Sequence, residues 1–242
     1  MAGRAVVLAG GKGTRLRPYT TVLPKPLMPV GDRPILDIVV RQLKAAGFER
    51  ITISTGYLAE LIEVFFRDGE KFGIPIDYYR EDEPLGTVGA LAMIDGLGDS
   101  DFLVMNGDVL TDLDYAKLLD DHRESGAAAT IATKQRDVPI ELGVLVFGDG
   151  GDQTKVTGYM EKPKVRYEAS MGVYCFAPRA LEYIEKGKPL DFPTLVLKLI
   201  EAGETVRSWR SDDYWLDIGR HDDYEAAQAE IEELKDRLIP DG

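Results

Sequence analysis

Two alternating periods of hydrophobic and polar positions run along the first half of the chain. Arg4–Ala9 is a continuous apolar run of strand length. A Gly-rich and then Pro-rich stretch follows from Gly10 to Pro34, and its prolines (Pro18, Pro24, Pro26, Pro29) forbid a helix while stiffening the backbone. A stretch of that length inside a compact domain is usually functional. Pro34 suits the first turn of a helix whose apolar residues Ile35, Ile38, Val39, Leu43 and Ala46 share a face and which Gly47 stops. Arg50–Ser54, Ile76–Tyr79 and Phe102–Met105 then read as strands, in alternation with helices at Leu58–Arg67, Thr87–Ile94 and Tyr115–Arg123. Strict alternation predicts right-handed crossovers and a mostly parallel sheet with helices on both faces.

From Ala127 the rhythm changes. Strands at Ala128–Thr133, Gly143–Phe147, Lys155–Met160 and Met171–Phe176, with a turn signal at Gly148-Asp149-Gly150-Gly151, read as an antiparallel addition forming a second lobe. Helices return at Arg179–Lys186 and Phe192–Ala202, a strand is expected near Thr205–Arg210, and an acidic helix runs from about Asp222 to Leu238. That last helix reads as a solvated amphipathic element. With no repeat or flexible linker, residues 1–242 are expected to form a single domain: 1–126 the first part, 127–220 the lobe, 221–242 the terminal helix.

Composition narrows the class. The chain is 242 residues long, 44% hydrophobic and 29% charged, as for an ordinary globular protein. No apolar run approaches a membrane span and the start lacks a signal-peptide pattern, so a cytoplasmic protein without a membrane partner is expected. Cys175 stands alone, and His122 and His221 are too far apart for a zinc constellation; any metal is expected to be held by carboxylates. A net charge of −13 argues against nucleic acid as partner. Yet the first fifty residues hold nine Lys/Arg against three acids, a net +6. A local cationic site in an acidic protein suits a small polyanion.

The chemistry concentrates there. Gly10-Gly11-Lys12-Gly13-Thr14-Arg15 follows the first strand, where ligands of α/β sheets bind and glycines let backbone N–H groups approach phosphate. A dinucleotide fingerprint would need glycine where Leu16 stands, and a Walker loop would need Ser/Thr where Gly13 stands, so neither template fits. Pro24-Lys25-Pro26 brackets a lysine between two rings, which limits the freedom lost when the ammonium settles on an anion.

Gly10-Gly11-Lys12-Gly13-Thr14-Arg15-Leu16-Arg17-Pro18, followed by Pro24-Lys25-Pro26-Leu27 and Pro29-Val30, resembles the signature of sugar-1-phosphate nucleotidyltransferases, or nucleotide-sugar pyrophosphorylases. Glu83-Pro84-Leu85-Gly86-Thr87, Asn106-Gly107-Asp108, Glu161-Lys162-Pro163 and Trp215-Leu216-Asp217-Ile218-Gly219 recur in the family's order over nearly the whole chain. The resemblance implies a three-layer Rossmann-like α/β fold with a small antiparallel sugar-binding lobe. It also implies a Mg2+-dependent reaction of a sugar 1-phosphate with an NTP, giving an NDP-sugar and pyrophosphate. By the same carry-over Arg15, Lys25 and Asp108 are catalytic, and Asp108 and Asp217 hold the metal. Leu8, Gly10, Gly11, Gly13, Thr14, Arg15, Lys25, Glu83, Gly86 and Thr87 bind the nucleotide, Thr87 also reading as the N-cap of the next helix. Asn106, Gly143, Glu161, Lys162 and Gly172 serve the sugar phosphate. Several relatives are oligomers, which is analogy alone and leaves a homo-oligomer open.

The Pro-Leu-Gly-Thr form at 84–87 is closest in style to mannose- and heptose-1-phosphate guanylyltransferases, which leans the reading toward GTP and leaves UTP and TTP open. Two departures, Glu141-Leu142 before Gly143 and Ser170 before Met171-Gly172, fall in the sugar lobe and leave the sugar open. Two rivals are a nucleotide-sugar glycosyltransferase, for which Asp112-Leu113-Asp114 has the metal-motif spacing, and a silent sugar-nucleotide sensor. The first motif sits at a helix start, where acids favour the helix dipole. A silent sensor would be expected to lose Arg15, Lys25 or a metal aspartate, and all are present.

Overall fold

The computed structural model describes residues 3–148 and 154–239; Asp149, Gly150 and Gly151 of the expected turn lie outside them. The chain runs through β1 (Arg4–Ala9), β2 (Pro29–Val30), β3 (Arg33–Pro34), α1 (Ile35–Ala45), β4 (Arg50–Thr55), α2 (Ala59–Phe66), β5 (Ile76–Arg80), β6 (Phe102–Asn106), β7 (Val109–Thr111) and α3 (Tyr115–Ser125). It continues with β8 (Ala129–Pro139), β9 (Gly143–Phe147), β10 (Val156–Glu161), β11 (Lys164–Phe176), α4 (Phe192–Glu201), β12 (Val206–Arg210), β13 (Trp215–Asp217) and α5 (His221–Leu238).

Seven strands form one sheet in the order β12-β8-β11-β6-β1-β4-β5. The β6-β1-β4-β5 half is parallel, as the strand–helix alternation requires, and β11 enters antiparallel between β6 and β8. Alternation along β1 and β6 divides the core. Ala5, Val7, Leu103 and Met105 join a cluster with Leu36, Val39 and Leu43 of α1, Phe66 of α2 and Leu118 of α3. Val6, Phe102 and Val104 face the other way, toward Leu195 and Leu199 of α4. Each Val, Leu, Met or Phe among them contributes about 1.5–3 kcal/mol when fully buried, so a one-residue slip of either strand would be disfavoured on both faces. This is the three-layer, mostly parallel arrangement expected.

Several elements differ from expectation. The Gly10–Pro34 stretch contains three single 3-10 turns, Thr14–Leu16, Tyr19–Thr21 and Lys25–Leu27, because prolines exclude an α-helix but tolerate one tight turn. The helix expected at Thr87–Ile94 is a 3-10 turn, Gly89–Met93. Val88 N–H donates to Leu190 O at 3.0 Å, and a Cβ on Gly89 would lie 2.7 Å from Lys188 O, so the neighbouring segment takes the backbone a helix would use. Thr87 does not cap that turn; its Oγ1 accepts Phe192 N–H at 2.6 Å, at the start of α4. Pro178–Tyr183 is likewise 3-10, too short a run for helix to propagate. Strands β8 and β11 are longer than their apolar segments because they pair with each other from Lys164↔Pro139 onward. Strands β7 and β13, three residues each, pair antiparallel and carry no periodic signal of their own.

Candidate active site

The parallel strands β1 and β6 end side by side. Leu8 pairs with Asn106, and Gly107 N–H donates to Leu8 O at 2.9 Å, which sets the Gly10 loop beside Asp108. A cleft of about 470 Å³ opens there, at the carboxyl ends of the strands where α/β sheets bind ligands.

Its loop is shaped by local chemistry. Gly13 adopts φ +57°, and a Cβ there would lie 2.9 Å from Thr20 Cγ2, so only glycine fits without strain. Thr20 Oγ1 donates to Gly13 O at 2.8 Å and Leu16 N–H to the same oxygen at 2.9 Å, closing the first turn. A Cβ on Gly11 would meet nothing within 4 Å. Space left open beside exposed backbone is what a close phosphate approach needs.

Lys25 is the pivot of the site. Its side chain is 8% exposed, and its ammonium donates to Asp108 Oδ2 across 83 residues of sequence. A buried ammonium needs such a partner, since an uncompensated one is strongly disfavoured. Asp217 stands beside Asp108 through the β7–β13 ladder: it pairs with Val109, and Ile218 N–H donates to Asp108 O at 3.1 Å. Asp217 is open to solvent on one side, yet loss of hydration to the surrounding protein, and then the charge of Asp108, push its carboxyl above the usual range; Lys25 and Arg15 oppose the rise. Four charged groups of both signs thus share one field.

Nine of the ten residues expected at the nucleotide line the cleft: Leu8, Gly10, Gly11, Gly13, Thr14, Arg15, Lys25, Gly86 and Thr87. Glu83 is exposed and is not on this wall; Glu81, two residues earlier, is. Glu81 Oε1 accepts from Ser54 Oγ and Oε2 from Leu85 N–H, both at 2.9 Å, so this carboxylate orders the 82–87 loop. It directly follows β5, a position that the strand-end rule points to. Asp191 also lines the cleft, and no sequence signal marked it. Its Oδ1 accepts Thr87 N–H at 3.3 Å while Thr87 caps α4 in return.

Of the residues expected at the sugar phosphate, Asn106 lines the cleft and Gly172 backs onto it: with φ +75°, a Cβ there would lie 2.8 Å from Asn106 Nδ2. Gly143, Glu161 and Lys162 stand together on the β9–β10 arm, off the described cleft wall. Gly143 pairs with Glu161, and a Cβ on Gly143 would lie 1.8 Å from Tyr159 Oη, which itself donates to Glu161 Oε2 at 3.0 Å. Lys162 holds φ +45°, a left-handed conformation costing a non-glycine residue about 1–2 kcal/mol. The Asp112-Leu113-Asp114 motif has structural work: Asp114 caps α3 through Lys117 N–H at 2.9 Å, and Asp112 accepts from Tyr214 N–H and pairs with Arg237.

Residues 4–234 match the sequence model of the family described as Nucleotidyl transferase. The chain belongs to that family. A UTP–glucose-1-phosphate uridylyltransferase of Synechocystis is 37% identical to this nucleotidyltransferase-family chain, over 98% of the chain and 66% of the relative. A probable mannose-1-phosphate guanylyltransferase 1 of Oryza sativa subsp. japonica is also 37% identical, over 91% of the chain and 62% of the relative. The chain therefore spans just under two thirds of the length of these curated relatives. Among solved structures, a putative glucose-1-phosphate thymidylyltransferase from Bacillus anthracis, in complex with a sucrose, superposes with a TM-score of 0.79 at 26% identity, covering 100% of this chain and 98% of that one. The sequence resemblance to sugar-1-phosphate nucleotidyltransferases holds. Among the described residues no helix is long and apolar enough to cross a membrane.

Proposed function

We propose that this chain transfers a nucleotidyl group from an NTP, with GTP favoured, to a sugar 1-phosphate. The observation that carries the reading is the ion pair of buried Lys25 with half-buried Asp108 beside the adjoining ends of β1 and β6, inside the cleft that the glycine loop lines. A phosphate oxygen of the sugar 1-phosphate attacks the α-phosphorus of the nucleotide; the new P–O bond forms as the bond to the β-phosphate oxygen breaks, and pyrophosphate leaves. Both reactants are anions, so the barrier is lowered by neutralisation and alignment rather than by proton transfer.

Each residue has a role in that scheme. The Gly10–Arg15 backbone cradles the triphosphate, Arg15 takes charge developing on pyrophosphate, and Lys25 holds phosphate near the reacting centre. Glu161 receives sugar hydroxyls and Lys162 the attacking phosphate. The donor set suits Mg2+: two neighbouring carboxylates, Asp108 and Asp217, whose mutual repulsion a cation would relieve, are a usual number for an ion that keeps waters and substrate phosphates as its other ligands. When bound, Mg2+ would neutralise phosphate charge.

The preference for GTP is supported by the acids on the cleft wall. Glu81 and Asp191 would repel phosphate, so they suit the neutral nucleoside. Glu81 has accepted one hydrogen bond on each oxygen and retains a lone-pair site on each. The adjacent N1–H and N2–H donors of guanine match such a carboxylate, whereas uracil and thymine offer one N–H on that edge. The uridylyltransferase relative supports UTP as the second reading.

Pyrophosphate release from GTP, UTP, dTTP and ATP with a panel of sugar 1-phosphates, with and without Mg2+, tests all of this. Release only when both substrates are present is expected, fastest with GTP, and Glu81→Gln is expected to narrow the preference for GTP over UTP. No release with any pair overturns the activity; a UTP optimum overturns the base assignment alone.

A further inference from the structure

The terminal helix α5 does more than present a solvated face. Ala227, Ile231 and Leu238 on its inner side pack with Leu16, Met28 and Val30, which belong to the loop carrying Arg15 and Lys25. Polar contacts reach the same loop on both sides of Lys25. Ahead of it, His221 Nε2–H donates to Arg17 O at 2.9 Å, and the Tyr19 ring lies 5.8 Å from His221 and 6.2 Å from Tyr224. Beyond it, Tyr224 Oη and Gln228 Nε2 each donate to Pro29 O at 2.7 Å, while Gln228 Oε1 accepts Gly31 N–H at 3.0 Å. Gln228 Nε2 also donates to Tyr224 Oη at 2.9 Å, so the two side chains act as one bracket.

The root of the helix touches the opposite wall. Asp223 Oδ2 accepts Gly219 N–H at 3.1 Å and Arg220 N–H at 2.7 Å, two and three residues after Asp217. Gly219 lies against the Arg15 guanidinium, for a Cβ there would be 3.4 Å from Nη1. One rigid element therefore spans the loop before Lys25, the loop after it, and the strand bearing Asp217.

We propose that α5 is a strut that sets the spacing of Arg15 and Lys25 against Asp217, with Tyr224 and Gln228 as positioning residues acting through the Pro29–Gly31 turn. The proposal rests on the nucleotidyltransferase reading of the cleft. Its physical basis is the steep dependence of a charge-stabilised reaction on the placement of its cations, where a shift of about 1 Å costs up to ~10²-fold in rate. The part of the loop between β1 and β2, which carries Arg15 and Lys25, is built of single 3-10 turns and has no ladder of its own to resist such a shift.

The test compares Gln228→Ala, Tyr224→Phe and, as a control on the exposed face of α5, Glu225→Ala. Expected are a fall in kcat of about tenfold for Gln228→Ala, a smaller one for Tyr224→Phe and none for Glu225→Ala. The sugar 1-phosphate KM should be unchanged. Gln228→Ala should also cost much less in a Lys25→Ala background, because the Gln228 bracket holds the Pro29–Gly31 turn that follows Lys25 and so acts through that lysine rather than through Arg15, whereas general destabilisation would cost the same in both. Hydrogen exchange gives a readout free of activity: amides of residues 12–31 should exchange faster in Gln228→Ala while those of β1, β4 and β6 do not change. Unchanged loop exchange, or equal kcat losses in the two backgrounds, overturns the strut. A wild-type chain without turnover but with the expected exchange pattern overturns the activity reading and leaves the strut standing.

Discussion

Lys25 and Asp108 form an ion pair across 83 residues of sequence, with the lysine side chain 8% exposed and the aspartate 26%. A pair this protected is poorly screened by salt, so it holds the Lys25 ammonium in one place within the cleft. It also ties the Gly10–Pro34 loop to the end of β6.

Lys25→Ala is therefore expected to lower turnover with every NTP by a similar factor, on the order of 10²-fold. A loss confined to one nucleotide, measured as kcat on each NTP, would make Lys25 a base-reading residue and refute its phosphate role. Asp108→Asn retains an oxygen to accept from Lys25 but loses the negative charge a hard cation prefers. It should stay folded by circular dichroism and lose more than tenfold in turnover at saturating Mg2+.

Asp217 provides a pH-dependent check. Its carboxyl lies above the usual range in the folded chain, chiefly through loss of hydration and then through Asp108, so the unfolded chain releases this proton first as pH rises. The stabilising contribution is full below the ordinary aspartate value of 3.8 and is lost as pH climbs through the raised folded value. Asp217→Asn should accordingly raise the melting temperature relative to wild type at neutral pH, with the gain vanishing at pH values below about 3.8, while turnover falls. Equal melting temperatures at neutral pH would refute the electrostatic crowding.

On the arm, Glu161→Gln should change the ranking of two epimeric sugar 1-phosphates by roughly one to two decades in kcat/KM without changing the ranking of NTPs. Lys162→Ala should depress all sugar 1-phosphates together. A shift in nucleotide preference with an unchanged epimer ratio would move sugar reading to Glu141 or Ser170.

What the sequence by itself determined is the alternation of periods and the ordered motifs. Continuous apolar runs at Arg4–Ala9 and Phe102–Met105, in alternation with helices of which α1 presents one apolar face, left a parallel sheet covered on both sides as the arrangement able to bury them. Gly10–Arg15 and Lys25 were legible as part of the cleft because loop chemistry at strand ends is local, glycine spacing and proline rigidity acting within a few bonds, whereas Asp108 was marked by the ordered family motifs.

Tertiary structure decided whatever depends on a partner distant in the chain. Thr87 reads as the cap of its own helix but caps α4, because Leu190 and Asp191 compete for the same backbone groups. Glu81 displaced Glu83 from the cleft wall when Ser54 and Leu85 claimed its oxygens, and Asp191 reached the wall from another segment. The helix that reads as a solvated element lies over the loop carrying Arg15 and Lys25, since Ile231 and Leu238 find apolar surface when Leu16, Met28 and Val30 are brought beneath them. Hydrophobic period records that a face will be buried; which surface buries it is decided by the packing of the whole chain.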